Sequence, residues 1–170
     1  MDLKNNVRHI PDFPEPGIDF IDITPLLLDS NLFESVIDSY VKELSDVDFD
    51  IIVSTEARGF ILGAPVAYAL KKGFIPVRKK GKLPYDKISV QYDLEYGYGT
   101  LEMHSDAIKP GQRVVIIDDV LATGGTVAAN IKLIEKSGGK VVKILFLAEL
   151  EKLNGKEKLS GYDVFSIEKI

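Results

Sequence analysis

Residues 114–126 read VVIIDDVLATGGT, and no other stretch limits the fold of this chain so tightly. Val114, Val115, Ile116 and Ile117 are β-branched and apolar, which favours a buried strand. Asp118 and Asp119 end that strand. Residues 121–125 then turn the chain into a helix over 125–137, with Val127, Ile131 and Ile134 on one face. Gly138 and Gly139 stop it. A buried strand feeding a helix through a glycine turn belongs to an α/β protein.

The rest of the chain keeps the same alternation. Asn31 is placed to cap a helix that runs to about Ser45, with Leu32, Val36, Tyr40 and Leu44 repeating every four residues. Residues 50–54 (DIIVS) read as a buried strand, and 60–70 as a buried helix that Pro65 makes start late or bend. Residues 74–78 form a strand whose Pro76 predicts an edge or a bulge. Residues 89–94 and 100–104 form two strands around the turn Tyr96-Gly97-Tyr98-Gly99. Residues 140–149 make a long buried strand and 162–167 the last one. The first 30 residues carry Pro11, Pro14, Pro16 and Pro25 and read as turns and extended pieces. The fold class is therefore α/β, with a mostly parallel central sheet flanked by helices. Ligands of such sheets sit at the carboxyl ends of the strands.

Composition narrows the class further. At 170 residues, with 45% hydrophobic and 28% charged residues, one domain over 1–170 is expected. There are no cysteines, so disulfides and thiolate chemistry are excluded. The net charge of −5 disfavours nucleic acid as a partner, because counterion release rewards basic surfaces. No run approaches the roughly 18 apolar residues of a membrane helix. The opening MDLKNNVRHI lacks the apolar stretch of a secretion signal, so a cytoplasmic location is expected.

Chemistry concentrates at loops and strand ends. Gly124 and Gly125 let backbone come close to a ligand. The free N–H groups of the helix start, with the hydroxyls of Thr123 and Thr126, suit a phosphate. Two acids directly before a phosphate cradle repel an anion, but they make sense facing hydroxyls. A ribose 5-phosphate supplies both groups; ordinary capping acids at a tight turn are the plainer alternative. TEARGF (55–60) delivers Arg58, either to grip a phosphate bidentately or to pair with Glu56 on the surface. RKKGKLP (78–84) puts Arg78, Lys79, Lys80 and Lys82 together, as a polyanion site or a solvated charge run. SVQYDLEYGYGTLE (89–102) is either a mobile aromatic lid or a plain hairpin. His9 and His104 have no partner at metal-ligand spacing, so no protein-borne metal site is expected.

These motifs, in this order, resemble the type I phosphoribosyltransferases over roughly residues 8–168. FPEPG with FIDIT (13–17 and 20–24) and LEYG (94–97) resemble the adenine phosphoribosyltransferases in particular. The resemblance implies transfer of a phosphoribosyl group from 5-phosphoribosyl 1-pyrophosphate (PRPP) to adenine, giving AMP and pyrophosphate in purine salvage. It places Ala122, Thr123, Gly124, Gly125 and Thr126 on the 5′-phosphate, and Asp118 and Asp119 on the ribose. It places Glu56, Ala57 and Arg58 on the pyrophosphate turn, where a non-proline cis bond between Glu56 and Ala57 is expected. Arg78, Lys79 and Lys82 would help hold the pyrophosphate. Residues 1–30 would form a hood in which Phe20 stacks on adenine and the backbone at Asp19 and Ile21 reads its edge. Residues 79–103 would carry the basic loop and a flexible lid, with Glu95 as the acid/base near the purine. Magnesium would enter with the pyrophosphate of PRPP, and the chain would pair as a homodimer. A change of base, or a PRPP sensor without turnover, are the competing expectations.

Overall fold

The computed structural model describes residues 5–13, 15–93 and 98–170. Its centre is a seven-stranded sheet, and a separate two-stranded sheet lies near the N-terminus. The small sheet pairs β1 (Arg8–Pro11) with β2 (Asp19–Asp22) antiparallel. Two helices follow, α1 (Thr24–Leu28) and α2 (Ser30–Glu43). Then come β3 (Ile51–Thr55), α3 (Arg58–Ala69), β4 (Gly73–Lys79), β5 (Lys87–Asp93), β6 (Tyr98–His104) and β7 (Arg113–Leu121). The chain ends with α4 (Gly125–Lys136), β8 (Lys140–Glu149), two short 3₁₀ turns and β9 (Val164–Lys169).

The large sheet has the order β5-β6-β4-β3-β7-β8-β9. From β4 to β9 neighbouring strands run parallel, while β6 joins β4 and β5 antiparallel. The strand β7 shows why the centre is apolar throughout. Val114 and Ile116 enter a core with Val127, Ile131 and Ile134 of α4. Val115 and Ile117 enter the opposite core with Leu62 and Val66 of α3 and Val36 and Tyr40 of α2. Successive side chains of a strand alternate in face, so a strand covered by helices on both faces needs apolar residues at every position. The carboxyl ends of β3 and β7 then lie side by side, and the loops after them share one end of the sheet.

Several expectations change in detail. The cap of α2 is Asp29, not Asn31: its carboxylate accepts from the N–H groups of Asn31 and Leu32. Both residue types cap well, and Asp29 adds a negative charge at the positive end of the helix. The prolines of the N-terminal segment do not exclude helix, because Pro25 sits in the first turn of α1, where no N–H is needed. Helix α3 starts early rather than late, at Arg58, and runs through Pro65. Pro76 pairs with Ser54 of β3, before β6 joins β4 at Arg78 and Lys79, so this stretch of β4 is a local edge. The last strand lies two residues later than expected.

Candidate active site

The loops after β3 and β7 open into a cavity of about 410 Å³. Residues 55–58 and 118–127 line it, together with Phe20, Lys79, Tyr92 and Leu101. Its floor is the start of α4. Gly124 caps that helix with φ +77°, and no side chain hydrogen-bonds the first turn. The N–H groups of a helix's first turn have no partner inside the helix, so here they remain for a ligand. The end of β5 lies over this start: a Cβ on Gly125 would stand 3.2 Å from the Asp93 carbonyl oxygen.

Asp118 and Asp119 are both buried at the edge of the cavity. Strand alternation sends their side chains to opposite faces. Burial, and then the neighbouring Asp119 carboxylate, push the Asp118 carboxyl well above its usual range. Asp119 Oδ2 lies 2.6 Å from Arg58 Nε, an ion pair whose angle misses that of a hydrogen bond. The phenol of Tyr40 is fully buried, and its pKa is raised by burial and then by the charges of Asp119 and Asp118. Behind them Asn130 Nδ2 donates to Thr55 Oγ1 at 2.6 Å, tying α4 to the end of β3.

Arg58 reaches the N-terminal sheet as well as Asp119. Its Nη1 donates to the Ile21 carbonyl at 2.9 Å, and its guanidinium lies 4.6 Å from the centre of the Phe20 ring. Phe20 in turn meets Phe13 edge-on at 5.3 Å. Phe20 therefore enters the cavity wall as a held aromatic face. Asp19 and Ile21 do not line the cavity: the Asp19 carboxylate pairs with His9 Nδ1 at 2.7 Å, and Ile21 is buried.

The basic segment is organised around Glu56. The peptide bond between Glu56 and Ala57 is cis. The Glu56 carboxylate accepts from Arg78 Nε at 2.9 Å and from the Lys79 N–H at 3.0 Å, and Lys82 Nζ lies 3.0 Å from it. Burial alone would raise its pKa, but the bonds from Lys82, Lys79 and Arg78 outweigh that and hold it low. The plainer alternative for Arg58, a surface pair with Glu56, does not form: the Glu56 side chain is only 7% exposed and is paired with Arg78 and Lys82, while Arg58 meets Asp119. Lys79 lines the cavity, whereas Arg78 and Lys82 do not.

Sequence reading missed Thr55, Tyr92 and Leu101 in the wall. Only their places at strand ends or on the hairpin could have marked them. Glu95, singled out as acid/base, lies outside the described residues. Among the described residues no cluster of three or more His, Asp or Glu side chains could hold a metal ion.

The family described as "Phosphoribosyl transferase domain" matches residues 27–170. An adenine phosphoribosyltransferase of Caldicellulosiruptor saccharolyticus is 63% identical, over 98% of this chain and 95% of its own. This chain belongs to the adenine phosphoribosyltransferase family. The fold agrees with membership. The crystal structure of the adenine phosphoribosyltransferase of Thermoanaerobacter pseudethanolicus superposes with a TM-score of 0.97 at 53% identity, covering 99% of this chain and 98% of that one. That of Saccharomyces cerevisiae, complexed with an imino-altritol bisphosphate and adenine, gives 0.90 at 38% identity, covering 97% and 96%.

Proposed function

We propose that the chain transfers the 5-phosphoribosyl group of PRPP to adenine, releasing AMP and pyrophosphate. The observation that carries the reading is one cavity whose wall joins an uncapped helix start, a pair of buried carboxylates and an aromatic face. Those three features match the phosphate, the ribose hydroxyls and the base of one nucleotide. In this reading residues 122–126 bind the 5′-phosphate through backbone N–H groups and the hydroxyls of Thr123 and Thr126. Asp118 and Asp119 accept from the ribose hydroxyls. Phe20 stacks on adenine; Asp19 and Ile21, expected at the base edge, lie outside the cavity wall, and the Ile21 carbonyl is held by Arg58.

The pyrophosphate faces Glu56, Ala57, Arg58 and Lys79, with Arg78 and Lys82 behind. The cations among them stabilise negative charge as the bond from the anomeric carbon to pyrophosphate breaks. Magnesium would come in with the pyrophosphate of PRPP as part of the substrate and would supply further charge stabilisation beside Arg58 and Lys79. A bond from the adenine ring nitrogen to the anomeric carbon replaces the one broken, and Glu95 takes the proton that adenine gives up. Glu95→Ala is expected to lower kcat far more than PRPP affinity; an unchanged kcat removes Glu95 from the mechanism.

The protein works in the cytoplasm as a homodimer. Support for pairing comes from α3, where Ile61 and Tyr68, two turns apart on one face, are 39% and 88% exposed. The deciding experiment mixes the protein with PRPP, magnesium and each of adenine, hypoxanthine, guanine and xanthine, and measures nucleotide and pyrophosphate. AMP from adenine alone is the expected result. A different nucleotide keeps the PRPP site and discards the hood assignment. No product from any base, with PRPP still bound, favours a sensor.

A further inference from the structure

We propose that Gly155, outside the cavity, is a positioning residue for the 5′-phosphate: its missing side chain lets the turn after β8 back the phosphate loop and fix where that loop stands. The inference rests on the phosphoribosyl reading of the site.

Gly155 begins the second 3₁₀ turn (Gly155–Leu159) and is buried. It is absent from the glycines with left-handed φ, so its backbone conformation does not call for glycine. What calls for glycine is the space. A Cβ there would land on the Ala122 carbonyl oxygen, closer than real Cβ atoms come, and 3.0 Å from the Gly124 nitrogen. The fit is reciprocal, since a Cβ on Gly124 would stand 2.5 Å from the Gly155 oxygen. The turn and the phosphate loop thus touch backbone to backbone.

The turn is also held against retreat. At one end the Leu150 N–H donates to the Leu121 carbonyl at 2.9 Å. At the other, Leu159 is buried in the core under α4. The loop has the open cavity on its far side. An added methyl group therefore displaces the loop toward the cavity and turns the Gly124 N–H away from its present direction. The ribose acids precede the loop on β7, where pairing with β8 at Asp118, Val120 and Leu121 holds them in place, and Phe20 is carried by the separate small sheet.

The effect must then follow the phosphate. Binding of AMP and of adenosine is measured by calorimetry on the wild-type protein and on Gly155→Ala. The wild type should bind AMP more tightly than adenosine; no preference would defeat the phosphoribosyl reading itself, whatever Gly155 does. Gly155→Ala should weaken AMP by about 10-fold or more, the worth of one hydrogen bond to a charged group, and leave adenosine unchanged. Equal losses of both ligands, or an unchanged AMP affinity, would overturn the proposal. Should Gly155→Ala not fold, Leu159→Val loosens the same support without adding bulk. It should give a smaller loss confined to AMP, and an equal or absent loss overturns the proposal there too.

Discussion

In the proposed reading two regions, the phosphate loop and the basic segment, meet an anion by different means. The phosphate loop has no charged side chain between Val120 and Ala129. Its attraction comes from backbone N–H groups fixed by the start of α4, so no long side chain has to be ordered when a ligand binds. The basic segment offers Lys79 to the cavity with Arg78 and Lys82 behind it, and their side chains or N–H groups already have a counter-charge in Glu56. The contrast matches the reaction. The 5′-phosphate is present on substrate and product alike, so a rigid seat serves both. Pyrophosphate arrives and leaves, and cations with a resident carboxylate have a partner in either state.

Gly124→Ala should break the comparison most severely on the loop side. It combines a left-handed φ of +77° with a clash against Gly155. Strain of roughly 1–2 kcal/mol, with a misdirected N–H, predicts a loss of about 100-fold for PRPP and AMP together. Calorimetry with both ligands checks this, and a loss confined to PRPP would contradict it. Lys82→Ala should separate the two regions. Its side chain is half exposed, so PRPP should weaken by about 5–10-fold, less at high salt, with AMP unchanged. A parallel loss of AMP would merge the two regions into one.

The smallest effect concerns the acids between them. Asp118 has a raised pKa in the folded protein, so its carboxylate form costs stability at neutral pH. Its favourable contribution is full below the unfolded pKa and is lost as pH rises through the folded one. Asp118→Asn should therefore raise Tm at neutral pH, while weakening ribose binding. The gain should shrink as pH falls through the raised pKa and wild-type Asp118 takes up a proton. Melting curves at several pH values test the sign, and a lowered Tm at neutral pH would refute it.

The sequence was most informative where the chemistry is contiguous. From Val114 to Thr126 one strand, its acids, the turn and the helix start follow without interruption, and the structure keeps that order. It was least informative where partners are distant in the chain. Glu56 and Arg78 are 22 residues apart, and Arg58 reaches a carbonyl 37 residues away. Motif and periodicity report what a segment is, but not which cation finds which acid across a fold. The cap of α2 failed for another reason: Asp29 and Asn31 are both good caps, and only the path of the chain decides between them.

The N-terminal strands form a sheet of their own, hydrogen-bonded to each other and not to the large sheet. Yet Phe20, carried by that small sheet, is part of the cavity wall. The aromatic face of the cavity and the loops after β3 and β7 are therefore carried by separate sheets. A grafted hood from a relative with another base preference would need to keep one thing in register, the carbonyl at position 21 that Arg58 holds.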